Sequence, residues 1–319
     1  MLDILAITGP IYFSIAVGFL TTRLGLFAKT DKQVFGRFVI NIAVPTMIFK
    51  TMAERPIGEV LNASYMLAYL AGTLFLACVG LFWCRSVARL NPTTSAFYTM
   101  GITCSNSVFI GYPVLLLTVA PIAGVAMALN MIVENFVLIP LMLALAESGR
   151  LRSASWYALI GKSLLRLLKN PMIIGMLGGI VFSLLGWKLP GPLAQTVGMF
   201  AVTTGALSLF FIGCTLAGLP MHGMVGKVMP VVIGKLVLHP LAVFLAVALL
   251  PLLGMPALPP DMKMAAILMA AVPMLGIYSI LAHVYGQEDF SAAALLVTTI
   301  VSFFTLNGLL WVLKVLSMH

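Results

Sequence analysis

The stretch Cys104-Ser105-Asn106-Ser107-Val108-Phe109-Ile110-Gly111-Tyr112-Pro113 places polar side chains and a Gly-x-Pro pair inside an apolar run. An apolar run long enough to cross a bilayer predicts a membrane-spanning helix. Proline lacks a backbone donor and clashes with the preceding turn, and glycine relaxes the backbone. We therefore expect a helix that is interrupted within the membrane at Gly111 and Pro113.

A second stretch, Ala271-Val272-Pro273-Met274-Leu275-Gly276-Ile277-Tyr278-Ser279, has a similar interruption about 160 residues later. The same offset relates Gly9-Pro10 to Asn170-Pro171, each of which opens an apolar run. We expect five spans in each half. Because five is an odd number, the second half would enter the membrane in the opposite orientation to the first. The pattern favours an inverted repeat, which is common in secondary transporters. Chance is the alternative, because glycine and proline are frequent in membrane helices.

The composition requires a lipid environment for most of the chain. Hydrophobic residues make up 61% of the 319 residues and charged residues 8%, whereas soluble domains carry roughly 25% charged residues. We expect an all-α polytopic membrane protein with a first five-helix repeat (1–146), a cytoplasmic amphipathic connector (147–170) and a second five-helix repeat (171–319). The ten expected spans are approximately 4–24, 34–52, 63–84, 95–118, 122–146, 171–187, 195–218, 228–250, 263–285 and 291–315.

The basic residues indicate the orientation. The net charge is +9, and most of the lysines and arginines fall in loops on one side of the predicted topology. The positive-inside rule makes that side cytoplasmic and places both termini outside. The same distribution argues against a nucleic-acid partner.

The interrupted helices predict a site for an anion. Each second half-helix would direct its positive N-terminus into the gap. Together with the Asn106 amide and the Ser107 hydroxyl, two such ends suit a carboxylate. The alternative is a pair of simple proline kinks.

Three ionisable residues inside the spans are further candidates. Glu134 in span 5 either couples a proton or is a neutral or paired structural residue, because an ionisable group in the membrane is costly and usually faces a cavity. Lys235 and His239 share one face of span 8. They either attract an anion or reach the interface, and the second is favoured for Lys235 near the start of its span. The four cysteines show no metal-ligand spacing, so neither a metal nor a cofactor is expected.

Several motifs carry a resemblance to a known family. One motif resembles the span-4 signature of the auxin efflux carrier family: Asn106 to Gly111-Tyr112-Pro113. Another resembles the span-9 signature of that family: Ala271-Val272-Pro273 with Leu281-Ala282-His283-Val284-Tyr285-Gly286. Further similar segments are Asn41-Ile42-Ala43-Val44-Pro45, Asn170-Pro171, Phe211-Ile212-Gly213-Cys214-Thr215-Leu216-Ala217-Gly218, Lys235-Leu236-Val237-Leu238-His239-Pro240 and Thr298-Thr299-Ile300-Val301-Ser302.

The resemblance implies ten helices in two inverted repeats, with helices 4 and 9 broken and crossing at the substrate site. The family's substrate-binding asparagine corresponds to Asn106 and its span-9 crossover proline to Pro273. Plant members have proline where this chain has Ser105, and many bacterial members have a second asparagine near Ile277. The expected substrate-binding residues are Asn106, Ser105, Ser107, Ile110, Gly111, Pro113, Pro273, Leu275, Gly276, Ile277 and Tyr278.

The sequence thus favours a carrier in the bacterial inner membrane, with both termini periplasmic, that works by alternating access. The chain looks like the bacterial branch of the family, whose members are associated with malonate and similar acids, and this resemblance implies a small mono- or dicarboxylate such as malonate as substrate. The other expected partners are the lipid bilayer and a second copy of the chain in a homodimer. One alternative is a channel-like anion facilitator. Another is an intramembrane enzyme, which the lack of paired catalytic residues in the spans disfavours.

Overall fold

A computed structural model describes residues 2–28, 31–55, 62–148, 169–218 and 225–317, and the described residues form helices and connecting turns without strands. Most of the predicted connector (149–168) lies outside them. The α-helices are α1 Leu2–Arg23, α2 Asp31–Phe38, α3 Val44–Ala53, α4 Ala63–Phe82, α5 Pro92–Thr103, α6 Tyr112–Thr118, α7 Ala123–Val133, α8 Ile139–Ser148, α9 Pro171–Leu185, α10 Gly191–Leu216, α11 Val225–Ile233, α12 His239–Leu249, α13 Pro260–Ala271, α14 Tyr278–His283 and α15 Glu288–Ser317.

Several helical stretches are long and apolar enough to cross a membrane, and the chain is a multi-pass membrane protein. Helices satisfy their own backbone groups, which lipid cannot do. Among the described residues, six such stretches are Gln33–Ala53, Ala63–Val87, Ala120–Glu147, Gly191–Leu216, Gly226–Leu253 and Glu288–Leu313. Two shorter apolar helices are Ser107–Thr118 and Pro171–Leu185.

Wide helical turns let the chain carry prolines without breaking. A π-helical segment ends two residues before each of four prolines, at Val39–Ala43, Ser107–Gly111, Glu134–Leu138 and Gly234–Leu238. In a π-helical turn each backbone hydrogen bond spans five residues instead of the four of an α-helix. This spacing accommodates both the missing N–H donor of proline and its ring. These prolines therefore do not mark helix ends, although sequence patterns suggest that they would.

Glycines allow the helices of two pairs to pack so closely that their backbones are in contact. Helix α1 packs on α10, and α9 packs on α3. A methyl group added at Gly213 would lie 2.0 Å from the Ile15 carbonyl oxygen, and one at Gly179 would lie 2.6 Å from the Phe49 carbonyl oxygen. Small residues at such positions are typical of membrane helix interfaces. A third pair, α4 and α12, also packs together.

Two spans contain a true break in the helix. The first lies at Cys104–Asn106, between α5 and the π-helical turn that leads into α6, and the second lies between α13 and α14. The second agrees with the expectation from Pro273 and Gly276. The first corrects the expectation that Gly111 and Pro113 mark the interruption, because both residues lie in continuous helix.

Candidate functional site

The two breaks meet in the interior of the molecule, and we call the place where Ser105 and Asn106 pair with Pro273 and Met274 the crossing. Ser105 lies opposite Met274 in an isolated antiparallel bridge, and the Asn106 N–H donates to the Pro273 carbonyl oxygen at 2.8 Å. Backbone groups exposed by a broken helix are costly to leave unpaired in a membrane. The pairing satisfies two of them and fixes the relative position of the two breaks.

The Asn106 side chain has one atom bonded and one atom without a partner. Its Oδ1 accepts from the Phe109 N–H at 3.2 Å and so caps the following helix. Its Nδ2 is buried and has no hydrogen-bond partner. Because an unsatisfied buried donor is destabilising, Nδ2 is the atom at the crossing best suited to bind an acceptor group of a ligand.

A cavity of about 610 Å³ reaches the second break at Gly276 and Ile277. A methyl group added at Gly276 would lie 3.5 Å from Asn106 Nδ2, so the cavity ends close to the free amide donor. Phe211 lines the same cavity and contacts Phe109, with ring centroids 5.3 Å apart. The cavity therefore connects the crossing with the space between α10 and the second broken span.

Charged residues line this cavity on both of its walls. Arg37 lies on the wall formed with α10, and Asp289 lies on the opposite wall at the start of α15. His283 Nδ1 lies 2.5 Å from a carboxylate oxygen of Glu288, beside Asp289. The wall of α2 is thus basic at this point, whereas the wall of α14 and α15 is acidic.

Glu134 is buried and holds the first break in place. Its Oε1 accepts from the Ser105 N–H at 3.0 Å, and the Ser107 hydroxyl contacts both carboxyl oxygens at 3.0 Å. The Tyr69 hydroxyl lies 3.4 Å from Oε1. Ser107 therefore directs its hydroxyl to Glu134 and does not complete a carboxylate site together with Asn106.

Lys235 is fully buried, which corrects the expectation that it reaches the interface. Its Nζ bonds to the Ser105 hydroxyl, to His239 Nδ1 at 2.8 Å and to the Ala270 carbonyl oxygen at 3.1 Å. An ammonium has three N–H donors, and each has an acceptor here. Burial is tolerated because each broken span supplies one of these acceptors and Lys235's own span supplies the third.

The hydrogen bonds define the protonation form of His239. The Thr73 hydroxyl donates to the Tyr69 carbonyl oxygen at 2.6 Å, so it must accept from His239 Nε2 at 3.0 Å. With the proton on Nε2, Nδ1 is free to accept from Lys235. A neutral histidine beside a lysine ammonium satisfies every atom of this group.

Ser105 links the buried acid to the buried base. Its N–H bonds to Glu134 and its hydroxyl contacts Lys235, and the Tyr69 hydroxyl lies 3.1 Å from the same serine oxygen. Hydrogen bonds thus run from Glu134 through Ser105 to Lys235 and on to His239. We call Glu134, Tyr69, Ser105, Lys235 and His239 the buried relay.

Sequence reasoning missed the part of the relay on α4. Tyr65, Tyr69 and Thr73 recur every fourth residue, and so they form a polar stripe on one helix face. The Tyr65 hydroxyl donates to Asn130 Oδ1 at 2.9 Å. Tyr69 contacts Glu134, and Thr73 contacts His239, as described above. A polar stripe on an otherwise apolar helix was the available signal.

The remaining expected site residues occupy different surroundings. Ile110 and Pro113 are buried in the core, and Gly111 packs against the Met269 sulfur. Leu275 is buried beside the break, whereas the Tyr278 hydroxyl donates to the Phe97 carbonyl oxygen at 2.6 Å. Of this set, Gly276 and Ile277 line the cavity.

The described residues contain no cluster of histidine, cysteine and carboxylate groups that could hold a metal ion. The crossing offers an amide donor, Asn106 Nδ2, and a cavity with both apolar and charged lining residues leads to it. This donor set suits an organic anion with few polar contacts.

The chain is similar to known membrane transport proteins. A family model described as "Membrane transport protein" matches residues 7–310. The chain is 26% identical to a protein of Rhizobium meliloti (strain 1021) named "Putative malonate transporter", over 98% of this chain and 97% of that protein.

Two other relatives are similar over part of the chain. An "Uncharacterized transporter" of Methanothermobacter thermautotrophicus is 24% identical over 63% of this chain and 64% of its own length. The "Lysosomal cholesterol signaling protein" of Mus musculus is 24% identical over 63% of this chain but only 24% of its own length. The match to the family model covers nearly the whole chain, and the chain therefore belongs to this membrane transport family, the auxin efflux carrier-like family that its span-4 and span-9 motifs resemble.

Proposed function

We propose that the protein is a secondary carrier for a small mono- or dicarboxylate such as malonate. The observation that carries the proposal is the unpartnered Asn106 Nδ2 beside Gly276 at the end of the cavity. A carboxylate oxygen is the acceptor that such a buried donor lacks, and hydrogen bonds to charged groups are stronger than neutral ones. The name of the Rhizobium meliloti relative supports malonate as the first substrate to test.

The architecture proposed for this carrier is ten helices in two inverted halves, residues 1–146 and 171–319. Reciprocal packing supports it. The first helix of each half packs on the second helix of the other, as α1 does on α10 and α9 on α3. The third helices, of which α4 and α12 are parts, pack on each other. A two-fold relation between the halves predicts both contacts.

Alternating access follows from this arrangement as the proposed mechanism. The cavity lies between Arg37 and Phe211 on one wall and the second broken span on the other. Movement of one wall against the other would close this access and open access from the opposite side. The proposed membrane is the bacterial inner membrane, with both termini periplasmic, in agreement with the distribution of basic loops.

Glu134 is the proposed proton-coupling residue. It bonds to the backbone and side chain of the first break, so a change in its protonation alters hydrogen bonds next to Asn106. The buried relay connects it to Lys235, which also bonds to the Ala270 carbonyl oxygen near the second break. One proton can therefore influence both halves of the crossing.

The test is transport by the purified protein in liposomes. Labelled malonate uptake should saturate with concentration, and unlabelled malonate inside the vesicles should accelerate it by counterflow. A channel gives neither response, and an inactive or unrelated protein gives uptake equal to that of empty liposomes. Either result would contradict the proposed carrier.

A further inference from the structure

A second cavity of about 600 Å³ lies apart from the crossing and is lined by residues of α3, α9, α10 and the turns that follow α3 and α9. None of the residues at the crossing or in the buried relay lines it. It forms where α9 ends, at the left-handed Gly186. The cavity is therefore spatially separate from the candidate site at Asn106.

One half of this cavity is aromatic. Phe182 stands between Phe49 and Trp187, with ring centroids 5.1 Å and 5.5 Å away. Trp187 is 56% exposed and directly follows the end of an apolar helix. Tryptophan at such positions is typical of the membrane–water interface.

The other half of the cavity is basic. Lys50, Arg55 and Lys188 line it together with one carboxylate, that of Glu54. Lys50 extends towards α10, where a methyl group added at Gly198 would lie 3.6 Å from Nζ. No ion pair between described residues includes Lys50 or Lys188, so the cavity holds an excess of positive charge.

An apolar helix face continues from the aromatic half of the cavity. Its residues recur at helical spacing along α9, and all have exposed side chains: Ile174, Leu177, Val181 and Leu184. A ligand that fits both features must be anionic at one end and apolar along its length. A soluble organic acid has no group for the apolar face, and a zwitterionic lipid does not neutralise the excess cations.

We propose that this cavity binds the headgroup of an anionic phospholipid, with an acyl chain along the exposed face of α9. Lys50 and Lys188 bind the phosphate, and Trp187 packs against the glycerol region. An excess of positive charge at a membrane surface attracts anionic headgroups. Because α9 and α10 both pack on α3, a bound lipid stabilises this three-helix unit. The proposal does not depend on the transported substrate.

The test compares lipids and variants in detergent-purified full-length protein. Phosphatidylglycerol should raise the thermal midpoint more than phosphatidylcholine does, because a ligand that binds the folded state stabilises it. The double variant Lys50→Gln/Lys188→Gln should lose most of that difference. Since each cation near an anionic lipid surface contributes about a factor of 5 in affinity, binding should weaken about 25-fold. Native mass spectrometry measures the bound lipid directly.

The matched control is Lys227→Gln/Lys263→Gln, which removes two exposed lysines elsewhere and should keep the full response to phosphatidylglycerol. Equal shifts with both lipids, or an unchanged response in Lys50→Gln/Lys188→Gln, would overturn the proposal. An equal shift with inorganic phosphate or malonate would assign the cavity to a soluble anion and also overturn it. A doubled mass without bound lipid would assign the surface to a second copy of the chain, with the same consequence.

Discussion

The Asn106 N–H donates to the Pro273 carbonyl oxygen at 2.8 Å and joins the break in one span to the break in another. Neither backbone group then needs a partner from its own helix, which allows irregular backbone in the membrane interior. The bond leaves the Asn106 side chain beside Gly276 with Nδ2 unpaired. This geometry is the basis of the first prediction.

Substitution of Asn106 should weaken malonate binding. Asn106→Ala removes a donor to a charged group, a loss of roughly 1.5–3 kcal/mol, or on the order of 10- to 100-fold in affinity. Asn106→Asp keeps the helix cap but places a carboxylate where the amide donates, and so it should bind even less. Calorimetry on the purified variants measures both effects. Asn135→Ala is the control, because Asn135 Nδ2 bonds to the Met131 carbonyl oxygen in its own helix. Equal affinity in Asn106→Ala and the wild type would remove Asn106 from the site.

Glu134→Gln should abolish the response of transport to pH. Glutamine preserves the size of the side chain and its acceptor for the Ser105 N–H, but it cannot take up and release a proton. Uptake in liposomes, with and without an imposed proton gradient, measures the effect. Glu147→Gln serves as the control. Glu147 lies away from the crossing, and its carboxylate accepts a hydrogen bond of 3.0 Å from the Tyr285 hydroxyl. A full wild-type pH response in Glu134→Gln would make Glu134 structural.

The buried relay should show strong energetic coupling between its acid and its base. Lys235→Met removes the cation that Ser105 links to Glu134, and a buried charge that loses its compensating partner is destabilising. Adding Glu134→Gln removes the unpaired charge and should recover part of the loss. Thermal unfolding of the two single variants and the double variant gives the coupling energy. Strictly additive effects would show that the two groups do not interact.

Gly213 should tolerate no side chain, unlike Gly205 on the same helix. A methyl group at Gly213 overlaps the Ile15 carbonyl oxygen, whereas no atom lies within 4 Å of a methyl group at Gly205. Gly213→Ala should therefore destabilise the protein by about 1–3 kcal/mol through overpacking. Gly205→Ala should be neutral or slightly stabilising, because alanine favours helix over glycine. Thermal midpoints of the two variants provide the comparison, and equal midpoints would refute the close contact between α1 and α10.

Transport should not require sodium. The oxygens of Glu134 are already engaged by Ser105 and Ser107. Malonate uptake should therefore be the same in sodium, potassium and choline media. Uptake that collapses in choline and recovers with added sodium would contradict this expectation.

Local patterns in the sequence determined the class of the protein and the second of its two breaks. The excess of apolar residues demands lipid as solvent, and Pro273 with Gly276 weakens one span over a few residues. Both effects depend only on composition and on neighbours within one helical turn. Asn106 could be singled out for the same reason, as a polar side chain in an apolar run.

Only the tertiary structure decided where the first break lies and what Lys235 does. Proline at 113 follows a wide turn and stays helical, whereas the chain opens at Cys104–Asn106 because Pro273 offers a backbone acceptor there. Lys235 can be buried because two remote residues accept hydrogen bonds from its ammonium group. These are Ser105, 130 residues away in sequence, and Ala270, 35 residues away. The burial of a charge is tolerated only where remote groups replace water, and which remote groups meet is set by the packing of the helices.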